Sequence, residues 1–171
     1  MRHLRALFSF PNPVNEVAAR TVATGVLVLV VATIATEQPW LLAVLVAGFW
    51  ARVLTGPTLS PLGQLATRVV APHLGIAPRL TPGPPKRFAQ GIGAGFSTAA
   101  LVAWATLGWT AATVLLVALG AAAFLEAAFG LCLGCKIFAR LMRAGIIPAH
   151  VCEECADVTR RHPELARTDA G

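Results

Sequence analysis

Charge is what this chain has least of. Of its 171 residues only 13% are Asp, Glu, Lys or Arg, 56% are hydrophobic, and the mean hydropathy is +0.69. A soluble domain carries roughly a quarter charged residues, so the composition is that of a membrane protein. The short motifs of common chemistries are also missing: there is no nucleotide-binding loop, no convincing hydrolase triad and no haem attachment motif. The string Gly91-Ile92-Gly93-Ala94-Gly95 opens an apolar helical run with no strand before it, so it is not a dinucleotide fingerprint. Nothing near the start reads as a cleaved signal peptide. Arg2 and Arg5 are followed by only a few apolar residues before Pro11-Asn12-Pro13, with no small-residue cleavage site. The net charge of +6 would point to nucleic acid in a soluble protein. Here the basic residues flank apolar runs, so topology accounts for them and no nucleic-acid partner is expected.

What the chain does have is apolar length. About 20 residues are needed to cross the hydrocarbon core, and the pattern predicts an all-α membrane protein with four transmembrane helices. Residues 1–17 form an amino-terminal segment, 18–143 the four-helix membrane domain and 144–171 a tail. The spans are expected at about 18–36, 40–54, 88–107 and 110–131. Residues 55–87 hold Pro57, Pro61, Pro72, Pro78, Pro82, Pro84 and Pro85, and read as a loop broken by one amphipathic helix over Leu62 to Val70. Lys and Arg cluster before the first span, in the central loop and after the fourth, while Glu37 to Pro39 and Gly108-Trp109 carry none. By the positive-inside rule both termini and the central loop are cytoplasmic, in a multi-pass membrane protein. The lipid bilayer is then its first partner, and a homo-oligomer is compatible with the pattern. Trp40 and Trp109 fall at the opposite interface, where tryptophan anchors helices.

Packing and pairing can be read in outline. Gly91, Gly95, Ala99 and Ala103 recur every fourth residue, a small-residue face that predicts close helix approach, and Gly130 and Gly134 repeat the spacing. Glu126 is the only acidic residue in the third and fourth spans, and Arg52 is its expected partner in a structural ion pair. Glu16 and Arg20, four apart, are expected to pair locally. Asn12 and Asn15 read as caps or turn residues.

The four cysteines form two C-x-x-C pairs, Cys132-Leu133-Gly134-Cys135 and Cys152-Glu153-Glu154-Cys155. Such pairs are either a dithiol redox device or a metal site. If the fourth helix continues through Cys135, both sulfurs share one face, with Cβ atoms about 5–6 Å apart. That is wider than the roughly 3.8 Å of a disulfide, so oxidation would need local unwinding, which Gly134 eases. On that reading the pair lies at a helix carboxyl end, where the dipole disfavours thiolates, against the lowering effect of Lys136, Arg140 and Arg143. The metal reading rests on the C-x2-C-x16-C-x2-C spacing, which suits tetrahedral zinc held by Cys132, Cys135, Cys152 and Cys155. His150 and His162 are substitute ligands at most. A cytoplasmic site argues against a permanent structural disulfide.

Several pieces of the sequence resemble one family. They are Pro84-Pro85-Lys86-Arg87-Phe88-Ala89-Gln90 before the third span, Phe129-Gly130-Leu131-Cys132-Leu133-Gly134-Cys135 after the fourth, Arg52 ahead of Gly56, and Ser60-Pro61. Over roughly Asn12 to Arg143 the chain is similar to an uncharacterised family of bacterial integral membrane proteins (domain of unknown function 4395). The resemblance implies a four-helix membrane fold with a cytoplasmic-side C-x-x-C, and members look to be encoded among thioredoxin-like and sulfurtransferase proteins. Glu126 departs from the pattern, which has an amide there, and the second cysteine pair lies outside the family core.

The leading expectation is thiol–disulfide exchange or sulfur handling through Cys132 and Cys135, with a thioredoxin-like or sulfurtransferase partner. The alternative is a non-enzymatic membrane protein whose tail is folded by zinc. A transporter of a small sulfur compound would need more polar groups in the spans than Arg52, Glu126 and scattered threonines. Whether the chain is an enzyme at all stays open at this point.

Overall fold

The computed structural model describes residues 10–77, 79–148 and 150–152, and these are overwhelmingly helical. Helix α1 covers Glu16–Thr36 and α2 covers Pro39–Thr55. A helical connector comes next: α3 (Pro61–Gln64), a wider π-helical stretch (Leu65–Val70) and α4 (Ala71–His73). Beyond it lie α5 (Gly83–Leu107), α6 (Trp109–Phe129) and α7 (Leu133–Arg143). Helices α1, α5 and α6 are long and apolar enough to cross a membrane, whereas α2 is equally apolar but has 17 residues.

Helix ends obey local chemistry. The Asn15 side chain accepts from the Val17 amide and caps α1, and Ser60 caps α3 through the Gly63 amide. Short strands β1 (Val14–Asn15) and β2 (Leu80–Thr81) pair antiparallel, with Val14 opposite Thr81, and tie the amino-terminal segment to the entrance of α5. There Asn12 Oδ1 accepts the Gly83 amide at 2.9 Å. Both asparagines are therefore caps, as expected.

Helix α5 begins at Gly83, ahead of the expected Phe88. Pro84 and Pro85 occupy its first turn, where a missing N–H removes no intrahelical bond and the fixed φ suits the helix. A proline cluster that reads as loop is instead a helix start, and it carries Lys86 into the fold. The central connector is also more ordered than a loop. It packs on α1 at Gly25, where a Cβ would run into the Leu62 side chain.

The core lies between α1, α2, α5 and α6, around Val26, Val30, Leu42, Leu45, Phe49 and Leu116. The close-packing face of α5 is not the one the four-residue repeat predicts. Gly91 and Gly95 are exposed with open space above them, and Ala99 is exposed too. Gly93, Ala94, Ser97 and Ala100 are buried instead. Gly93 lies directly under the Phe49 ring of α2, so that a Cβ there would overlap ring carbons. Gly130 and Gly134 likewise belong to different elements rather than to one helical stripe. Replacing Gly93 with Val is expected to cost about 1–3 kcal/mol through overpacking. Gly95→Val, on the open face of the same helix, should leave thermal unfolding in detergent unchanged. Equal melting shifts for the two variants would contradict this packing.

Candidate functional site

The site begins where α6 stops. Gly130 takes φ +67, and the amides of Gly130 and Leu131 bond back to the carbonyls of Glu126 and Leu125 at 3.0 and 3.1 Å. This is the paired bonding of a glycine-terminated helix end. The apolar run therefore breaks before the cysteines. Cys132 is the extended N-cap of α7, with φ −78 and ψ 104, and its carbonyl accepts the first intrahelical bond from Lys136. Cys135 is the third residue of the new helix.

The expected geometry is thereby corrected. The pair does not sit at the carboxyl end of a continued fourth helix but at the amino end of a separate one, so the helix dipole favours a thiolate instead of opposing it. Cys132, as a cap, is also free of helical dihedrals. Cap and third residue are the two positions whose side chains meet at a helix start. Both thiols are free; Cys132 is buried and Cys135 half-buried.

Helix α7 is held in place by its apolar face. Gly134 is pressed against Ala89 of α5, and Phe138 meets Phe88 edge-on with ring centroids 5.6 Å apart. Lys86, one turn before Ala89, is thus brought beside the thiols. Its Nζ lies 2.6 Å from Oε1 of Glu126 on α6, with the two side chains only 9% and 16% exposed. Glu126 therefore pairs with Lys86 and not with Arg52. From the sequence Lys86 is expected in the central loop, whereas it lies in α5. The signal was the position of Pro84 and Pro85, which puts Lys86 in a first helical turn.

Arg52 finds neutral partners. Its Nε donates to Gln90 Oε1 at 2.8 Å, one Nη donates to Ser60 Oγ at 3.2 Å, and the guanidinium lies 4.6 Å from the Phe49 ring centroid. It is 5% exposed. Arg20 does not take Glu16 either. It donates to the carbonyls of Ala127 and Ala128, where a cation offsets the carboxyl-end dipole of α6.

The environment separates the two thiols. A hydrogen bond from Cys135 pulls the Cys132 thiol below its ordinary range, with further help from the Lys86 charge, against burial and Glu126. Cys135 is pushed up, chiefly because it is the donor to Cys132, and also by burial and by the neighbouring thiolate. The surroundings thus favour the thiolate at Cys132 and the proton at Cys135.

Two cavities meet at Cys132. A crevice of about 420 Å³ is lined by Cys132 and Cys135 together with Glu16, Lys86 and Lys136. An apolar cavity of about 240 Å³ runs from Cys132 between α5 and α6. Cys132 is the one described residue that lines both.

The second cysteine pair is only partly visible. Against the expectation of reduced cysteines throughout, Cys152 is buried and disulfide-bonded, which leaves it no free thiolate for a metal; it follows the exposed His150 in one turn. Cys155 and His162 lie outside the described residues. Among the described residues no group of three or more His, Cys, Asp or Glu side chains is placed to hold a metal ion.

A family described as "Domain of unknown function (DUF4395)" matches residues 14–143, most of the chain, and the chain belongs to it. No curated protein and no solved structure matches it.

The lowered Cys132 value gives a direct test. Alkylation of Cys132 should proceed below the pH range of an ordinary thiol. Cys135→Ala and Lys86→Met should each move its pH midpoint upward, the first by removing the donor and the second by removing the cation while leaving Glu126. A pH–rate profile for a small alkylating reagent checks this, and midpoints unmoved by either change would contradict it.

Proposed function

We propose that this member of the DUF4395 family is an integral protein of the bacterial inner membrane that carries out thiol–disulfide exchange through Cys132 and Cys135. The observation that carries the reading is the placement of two free thiols at the cap and third residue of one helix, beside the Lys86–Glu126 ion pair. A helix start and a second thiol that donates a hydrogen bond favour the Cys132 thiolate, and an inert structural cysteine needs neither.

In this reading α1, α2, α5 and α6 all cross the bilayer. At 1.5 Å per residue α2 spans roughly 25 Å, a little short of the ~30 Å hydrocarbon core. Slight local thinning accommodates such a mismatch at modest cost. The basic residues Arg68, Arg79, Arg87, Lys136, Arg140 and Arg143 mark one side as cytoplasmic, and the thiols face that side through the crevice that includes Glu16 and Lys136. The exchange partner is a soluble thioredoxin-like protein or a sulfurtransferase. Cys132 attacks the partner's disulfide, a mixed disulfide forms, and Cys135 resolves it, leaving the partner reduced and the pair oxidised; the reverse sequence runs when the partner is reduced.

In full-length protein Cys135→Ser should trap a mixed disulfide through Cys132, and Cys132→Ser should trap none. The readout is non-reducing electrophoresis with mass spectrometry of the adduct. If neither change alters the trapped product, exchange does not run through this pair. Elemental analysis of the same anaerobic preparation separates the competing reading: one zinc per chain with protected thiols would identify a metal-clamped tail instead.

A further inference from the structure

The polar crevice offers Cys132 and Cys135 to a soluble partner, but Cys132 also forms the inner end of the apolar cavity, which Cys135 does not line. The walls of that cavity are almost entirely apolar, with Phe49 at the back and Gly93 and Ala123 beside it. Its mouth lies between α5, α6 and α7, where Phe96, Ala118 and Ile137 respectively are exposed. In a bilayer that mouth opens sideways toward acyl chains. At about 240 Å³ it is smaller than the ~300–1,000 Å³ of ordinary small-molecule sites. It has room for one substituted ring, with any long tail left in the lipid.

The inner end is polar, and its polarity is specific. Gln90 Oε1 is fixed as the acceptor of Arg52 Nε, which settles the amide orientation and leaves Nε2 as the donor end. Among the described residues no group accepts from Nε2; half-buried Gln90 lines this cavity and the neighbouring pocket beside Arg52, and the other polar groups of this cavity are Cys132 and Glu126, whose carboxylate is taken by Lys86. Arg52, buried behind it, polarises that amide and strengthens its donors. A plain acyl chain would leave this donor unmatched. A ring bearing a carbonyl oxygen satisfies it.

We propose that the cavity binds the ring of a lipid-soluble quinone, which accepts two electrons from Cys132 and Cys135. This rests on the thiol-exchange reading above and names the oxidant for the same pair. The Cys132 sulfur bonds to a ring carbon, Cys135 sulfur then attacks Cys132 sulfur, the carbon–sulfur bond breaks and the sulfur–sulfur bond forms. The two thiols together lose two electrons and two protons, and the quinone gains both to leave as quinol. Gln90 positions a carbonyl oxygen, and Arg52 acts through Gln90. The protein would thereby pass electrons from soluble thiols in the crevice to the quinone pool in the membrane.

The test uses the reduced full chain in lipid nanodiscs without oxygen, with ubiquinone-1 as the lipid-phase oxidant and glutathione disulfide as the soluble one. Ubiquinone-1 should be reduced one for one as the Cys132–Cys135 disulfide forms. Ala118→Phe, which fills the mouth from the exposed side, and Gln90→Leu should each lower the ratio of the quinone rate to the glutathione rate about tenfold. Oxidation by glutathione disulfide but not by ubiquinone-1 would overturn the quinone site and leave thiol exchange standing. Thiols inert to both oxidants would remove both readings. Quinone reduction with an unchanged rate ratio in both variants would place the reaction outside this cavity.

Discussion

A lysine ammonium and a glutamate carboxylate can be withdrawn from water together only if they satisfy one another, and Lys86 and Glu126 do so across 2.6 Å. Removing one member of such a pair leaves an uncompensated charge, and the penalty is several kcal/mol. The contact ties the first turn of α5 to the last turn of α6. It also fixes the charge beneath α7, because Gly134 and Phe138 press α7 onto α5 one turn beyond Lys86. The cysteine pair is therefore held over a cation whose position is set by its own counter-ion.

The other buried cation among the described residues is treated differently. Arg52 has no carboxylate among its contacts in the described residues; Gln90, Ser60 and the Phe49 ring share its hydrogens and its charge. Neutral acceptors and an aromatic face offset part of the desolvation cost without cancelling the charge. What results is a polarised amide at the inner end of an apolar cavity. Two cations at one end of the bundle thus have distinct surroundings, one neutralised beside the thiols and one left to act through its hydrogen bonds.

Several features could be read from residue order alone. Long apolar runs with a single charge apiece predict α1, α2 and α6 to within two residues at either end, because burial in an apolar surrounding demands length and composition that no loop supplies. Asn12 and Asn15 are legible as caps because a short carbonyl side chain is the residue type that satisfies orphan amides. The start of α5 is not legible. Pro84 and Pro85 suit a loop and a first helical turn equally well, and the capping carbonyl on Gly83 comes from Asn12, far away in sequence. The α7 break is a nearer case. Gly130 ahead of an amphipathic segment is a helix-end signal, but in an apolar run a glycine every fourth residue reads equally well as packing.

Composition and periodicity act locally along the chain, so they were enough to establish the helical class, the apolar lengths and the presence of a thiol pair. The polarity of the helix that carries the thiols, the partners of every buried charge described here and the inward face of α5 came only with the packed fold. A left-handed turn at Gly130 reverses the dipole felt by Cys132, and no count of nearby basic residues contains that sign. Glu126 had two cations available to it, Arg52 and Lys86. The choice was made by which helix presses closest to α6 at that depth, a property of packing between segments that are distant in sequence.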